Sequence, residues 1–142
     1  LMLSYLSIRD VVIIEHLEVN FQPGLSVLTG ETGAGKSILL DALGLATGTR
    51  ADAHLVRHGA DRAIVSAAFE LPDTHSVRSR LADQGIDTVG EPVLLRRVLI
   101  ADGRSRAFVN DQAVSVGFLN QVGKQLVEVH GQFDSQRLMR SE

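Results

Sequence analysis

The chain of 142 residues contains no cysteine, which excludes disulfides and thiolate metal sites and fits a reducing compartment. It has no apolar run of membrane-spanning length, and its N-terminus lacks a signal-peptide pattern. Net charge is only −3, so there is no global electrostatic footprint for nucleic acid, and any such contact has to be local. Internal repeats and low-complexity stretches are absent too. What remains is an ordinary globular composition, 44% hydrophobic and 22% charged, of a size suited to one domain or half of a larger one. Met2 stands behind Leu1, which reads as one residue ahead of a native start, and Ser141–Glu142 then reads as a cut.

Against that background one stretch stands out: Gly30-Glu31-Thr32-Gly33-Ala34-Gly35-Lys36-Ser37, or G-x-x-x-x-G-K-S. Leu25 to Thr29 before it suits a buried strand, and Ile38 to Leu43 after it is a helix-forming run. Strand, glycine loop and helix are the context that a phosphate-binding loop requires. Glycines let successive backbone N–H groups converge on one anion, and the helix adds its positive end. Lys36 is placed to reach the β- and γ-phosphates, and the Ser37 hydroxyl to ligate Mg²⁺. With glycine at about 7% of average usage, a chance match has odds on the order of one per cent or less. Leu39, just inside the helix, is counted with the cofactor-binding residues.

Elsewhere the pattern predicts strands over Leu3–Ile8, His16–Phe21, Ala63–Leu71, Pro92–Ile100, Arg106–Asn110 and Val127–His130. Val11 to Ile14 is a further apolar, β-branched run. Gln22-Pro23-Gly24 and Asn110-Asp111 mark turns, and Asp102-Gly103 marks a hairpin. Helices are predicted from a cap at Asp73 or Thr74 through Gln84, ending at Gly85, and over Val116–Leu126, the latter weakened by Gly117 and Gly123. Gly44 to Asp52, with Arg50 inside it, reads as a loop near the nucleotide. His54 and His58 share helical spacing but have no third ligand nearby, so they read as surface histidines.

A P-loop enzyme also needs an apolar strand ending in an acid that holds Mg²⁺. Val98-Leu99-Ile100-Ala101-Asp102 fits literally, and on that reading the chain is a self-contained small NTPase or kinase. Asp-Gly between apolar strands is better explained as a hairpin tip. A third reading is a degenerate nucleotide-binding module with a structural role. No L-S-G-G signature occurs anywhere. Gln132, in a polar loop after the last expected strand, is a candidate for ligating Mg²⁺ or orienting the attacking water. Arg96, Arg97, Arg104 and Arg106 gather on one hairpin and read as solvated.

The run from Leu28 to Leu43 closely resembles the P-loop of the bacterial RecN DNA-repair proteins, relatives of the SMC ATPases. Thr49-Arg50-Ala51-Asp52, the hairpin Asp102 to Asn110, and Val127 to Gln136 resemble further stretches of that family in the same order. Phe133-Asp134-Ser135 departs from its usual His-acidic-His. The resemblance implies an α/β P-loop NTPase fold of ABC/SMC type. The chain would be the N-terminal lobe of a head (residues 1–142), with a mixed or antiparallel β-subdomain packed on the P-loop strand and helix, ending where a coiled coil begins. It implies ATP and Mg²⁺ as cofactors, Gly30 to Ser37 as their cradle, Gln132 as the Q-loop ligand, and Arg50 near the γ-phosphate. Lys36, Gln132 and Arg50 would carry catalysis. It further implies a C-terminal lobe supplying the signature and acidic motifs, a homodimer with ATP between the heads, DNA as partner in double-strand break repair, and a cytoplasmic, nucleoid-associated location.

Overall fold

The computed structural model describes residues 2–21, 33–49 and 52–126, with backbone only for 2 and 33–37. Its frame is a six-stranded sheet, β1 (Met2–Val11), β2 (Ile14–Asn20), β3 (Arg62–Glu70), β4 (Val93–Ile100), β5 (Ser105–Val109) and β6 (Gln112–Val114). The strand order is β2-β1-β3-β4-β5-β6, and every neighbouring pair is antiparallel. The sheet anticipated as mixed or antiparallel is antiparallel among the described residues. The expected strands over Leu25–Thr29 and Val127–His130 lie outside them.

Period-2 patterning decides which side of the sheet is covered. Along β3 and β4 alternate residues are buried, with Val65, Ala67 and Phe69 facing the same side as Val93, Leu95 and Leu99. That side carries three helices: α1 (Gly33–Ala46), α2 (Ser76–Asp83) and α3, residues 116–126. Ala42, Leu45 and Ala46 from α1, Val77 and Leu81 from α2, and Leu119, Val122 and Leu126 from α3 join the strands in one apolar core. Among the described residues nothing covers the opposite face.

Several boundaries differ from the sequence reading, each for a local reason. Arg9 and Asp10 do not interrupt β1, and the apolar run beyond them is a two-residue hairpin turn, Val12-Ile13, between the pair Val11 and Ile14. Val12 has φ 52°, a left-handed position where glycine is usual and a β-branched residue is strained. The neighbouring segment holds it there: the Val12 N–H donates to the Leu55 carbonyl at 2.8 Å, and the Arg57 N–H to the Asp10 carbonyl at 2.8 Å. Strand β2 alternates in sequence but lies at the sheet edge, so Leu17 remains exposed. The cap of α2 is neither Asp73 nor Thr74 but His75, whose Nδ1 accepts from the Val77 N–H at 3.1 Å. Burial pushes the pKa of its ring down. Asn110-Asp111 is a turn with both residues at positive φ, 46° and 68°, and it returns the chain as β6, a strand the sequence reading lacked.

Helix α1 runs three residues further than expected, through Gly44 to Ala46. It ends in paired bonds from the Thr49 N–H to the Gly44 carbonyl (3.0 Å) and from the Gly48 N–H to the Leu45 carbonyl (3.1 Å). Gly48, at φ +90°, supplies the left-handed residue this ending requires. It also lies against α3, where a Cβ would sit 2.5 Å from the Asn120 backbone. Gly123 makes the reciprocal approach, since a Cβ there would be 2.0 Å from the Thr47 carbonyl oxygen. The glycines that weaken α3 as an isolated helix include the one that lets it touch α1.

Gly123→Ala should therefore destabilise the protein by about 1–3 kcal/mol, the usual cost of forcing an atom into a packed contact. Gly117→Ala, whose Cβ would meet only Ser115 Oγ at 3.9 Å, should be near neutral. Urea unfolding of both variants compares them directly, and equal midpoints would contradict the close approach.

Candidate functional site

Helix α1 begins at Gly33, inside the G-x-x-x-x-G-K-S motif, so Gly33, Ala34, Gly35, Lys36 and Ser37 form its opening turns. The first backbone N–H groups of a helix have no partner within it and carry the positive end of its dipole. A phosphate group fits that environment, and the residue types of the loop are those that hold one. Leu39 is half-buried against the core. Gly30, Glu31, Thr32, Arg50 and Gln132 lie outside the described residues, so the cradle's first half and the opposite wall of the site are not drawn together here.

The other end of α1 is held by a residue read from sequence as solvated. Arg97, on β4, is 2% exposed. It donates from Nη1 to the Leu45 carbonyl (3.1 Å) and the Thr49 carbonyl (3.0 Å), and from Nε and Nη2 to Ser105 Oγ at 3.2 and 3.0 Å. No carboxylate lies within 4.0 Å of it among the described residues. Its charge meets the negative end of the α1 dipole instead. Burial pushes its pKa down from the usual arginine value. Arg97 thus ties the sheet, through β5, to the C-terminus of the phosphate-loop helix and to the residue directly before Arg50. The signal was present: two adjacent arginines in a strand of period 2 face opposite ways, and the odd-numbered positions of this one are its apolar face.

The other three hairpin arginines are at least partly exposed. Arg96 lies over the Phe108 ring, 4.4 Å from its centroid, and 3.5 Å from Asp111. Arg104 pairs with Asp102 at 2.8 Å, and Arg106 is exposed.

Asp102 sits at the tip of the β4–β5 hairpin, where its Oδ1 accepts from the Arg104 N–H at 2.9 Å. That bond, with help from the Arg104 guanidinium, holds its carboxyl below the usual carboxylate range. Its oxygens are engaged by its own turn, and the reading of Asp102 as the Mg²⁺-holding acid of a self-contained NTPase is not favoured. His54 and His58 are exposed, and no cluster suited to a metal ion exists among the described residues. No helix among the described residues is long and apolar enough to cross a membrane.

An antiparallel sheet laid on the helix of a phosphate-binding loop defines the head class of P-loop ATPases, and comparison with known proteins agrees. Residues 5–135 match the AAA domain family, and the chain belongs to it. Within that class it is similar to the DNA repair protein RecN. It is 44% identical over 138 residues to RecN of Xylella fastidiosa (strain Temecula1), covering 97% of this chain and 25% of the relative. It is likewise 44% identical over 141 residues to RecN of Bacillus subtilis, covering 99% and 24%. The chain therefore spans about a quarter of the length of the curated relatives it matches, in their N-terminal portion. Among solved structures, an SMC ATPase from work on ATP-driven dimerization and DNA-stimulated activation superposes with a TM-score of 0.66. That match is 19% identical and covers 87% of this chain and 78% of the other, a likeness that speaks to the fold. The expected resemblance and the expected head-lobe fold are both borne out.

Replacing Arg97 with Met should cost about 1–3 kcal/mol, because the Leu45 and Thr49 carbonyls lose their charged donor in a dry site. Arg97→Lys should recover part of this, since an ammonium reaches one carbonyl but cannot also span to Ser105. Denaturant unfolding checks the order wild type, Lys, Met. A Met variant as stable as wild type would show that the buried cation holds nothing.

Proposed function

We propose that this chain is the ATP-binding lobe of an SMC-like ATPase acting in DNA double-strand break repair and recombination. The observation that carries it is the start of α1 inside the G-x-x-x-x-G-K-S motif, with the antiparallel sheet packed on that helix, in a chain 44% identical to RecN proteins. Residues 1–142 form one lobe. Gly30 to Ser37 cradle the phosphates, Lys36 meets the β- and γ-phosphates, and Leu39 backs the cradle. Ser37 and Gln132 hold Mg²⁺, and Arg50 faces the γ-phosphate.

The lobe is incomplete for turnover. It lacks an L-S-G-G signature, and Asp102, the acid after the apolar run Val98 to Ala101, belongs to a hairpin tip. The missing groups come from a C-terminal lobe of the same protein, joined through a coiled coil. Two such heads close over ATP as a homodimer, and DNA is engaged by the full-length protein in the bacterial cytoplasm at the nucleoid. Support for a docking lobe comes from α1 itself, whose Leu40 is 44% exposed beside an open cavity of about 450 Å³ that Asp41, Gly44 and Leu55 also line. A helix apolar on nearly every side is one that expects cover on more than one face.

In the full-length protein Lys36→Ala should abolish ATP affinity in calorimetry, because it removes the charge the loop is built around. Gln132→Ala should leave ATP binding within a few-fold and slow single-turnover hydrolysis roughly ten- to a thousand-fold, the effect of losing one positioning contact. Asp102→Asn should leave turnover unchanged. Magnesium-dependent hydrolysis by this chain alone that vanishes with Asp102→Asn would overturn the split-head reading.

A further inference from the structure

The uncovered face of the sheet carries an ordered set of arginines. Cross-strand register places Arg9 of β1, Ile64 of β3, Val98 of β4 and Arg106 of β5 in one row. Arg62, in the next row and paired with Ile100, points to the same face. With strands about 4.8 Å apart, the row from Arg9 to Arg106 spans about 14 Å. All three arginines are exposed, and none has a carboxylate within 4.0 Å among the described residues.

The acids on this face do not cancel them. Glu18 lies 3.0 Å from His16, and Glu70 is at the opposite end of β3 from Arg62. Asp10 and Asp61 adjoin the arginines in sequence at the rim, where Asp10 has a positive φ of 55°. Arg96 is already committed to Phe108 and Asp111. A chain of net charge −3 thus turns to one side of the sheet three guanidinium groups that have no carboxylate partner among the described residues, over small and aliphatic residues such as Ile64, Ser66 and Val98.

We propose that this face, through Arg9, Arg62 and Arg106, binds the phosphate backbone of duplex DNA. The inference rests on the reading of the full-length protein as a DNA-repair ATPase and assigns it a contact surface. Three cations spread over about 14 Å match a polyanion better than a point ligand, because duplex DNA presents about one charge per 1.7 Å of axis. The three guanidinium groups stand on separate strands and present no base-reading geometry. The contact is therefore electrostatic and indifferent to base sequence.

The test is the salt dependence of duplex binding by the full-length protein, measured by fluorescence anisotropy. Each phosphate contact contributes about 0.9 to the slope of log affinity against log salt. The triple variant R9Q/R62Q/R106Q should lower that slope by about 2–3 and weaken binding roughly ten- to a hundredfold at low salt. R9Q and R106Q alone should each lower the slope by about 1, which keeps the test valid if the triple variant folds poorly. K124Q, an exposed change on helix α3 in the covered layer, should leave DNA binding unchanged, and ATP affinity should be constant throughout. Wild-type binding with unaltered slopes in the variants overturns the surface while leaving the ATPase reading intact. Loss of binding to an acidic protein with DNA affinity unchanged also overturns it. A wild-type protein that binds ATP but no duplex overturns the surface and the DNA-repair part of the reading, and leaves the ATP-binding lobe standing.

Discussion

The buried Arg97 guanidinium is the contact on which the rest of this lobe depends. A cation at 2% exposure without a carboxylate partner would ordinarily be untenable. Here it is sustained by two main-chain carbonyls at the end of a 14-residue helix and by one hydroxyl. Because those carbonyls belong to α1 and its exit, the bond fixes the helix along its axis relative to β4. The first turn of α1, about 20 Å away along the helix axis, inherits that position.

Close packing around the same helix end reinforces the constraint. Gly48 and Gly123 let α3 press onto the exit of α1, and the Asn120 amide donates to the Gly48 carbonyl at 3.0 Å. Helix α2 is joined to α3 by Arg80, which donates to Gln121 and Gln125. All three helices thus crowd one side of the sheet. Among the described residues nothing covers the other side, which carries Arg9, Arg62 and Arg106. That asymmetry is electrostatic as well as steric, and it is invisible in a net charge of −3.

The phosphate loop was legible because its chemistry is local: glycines, lysine and serine at fixed spacing act through the backbone of one turn. The hairpin at Asp102-Gly103 was legible for the same reason, and its identification kept that acid out of the site. The long alternating strands followed from period 2. Less legible were the ends of elements. His75 took the cap of α2 from Asp73 and Thr74, and Val12 accepted a left-handed turn because the segment ending at Arg57 holds it. Strand β6 is too short to show a period. At Val12 a long-range bond, from its N–H to the Leu55 carbonyl, outweighed a local preference of a few tenths to about 1 kcal/mol.

Sequence alone determined the helix that follows the loop and the family, since each is written in contiguous residues whose spacing is their chemistry. Only the tertiary structure decided the fates of neighbouring arginines. Arg96 and Arg97 are indistinguishable as letters, yet the pleat sends one over an aromatic ring at the surface and the other under the sheet to the helix end. Arg9, Arg62 and Arg106 are far apart along the chain and come onto one face, in two neighbouring rows, through strand pairing. Register is a property of the assembled sheet, because it is set by which strands meet and not by any one of them.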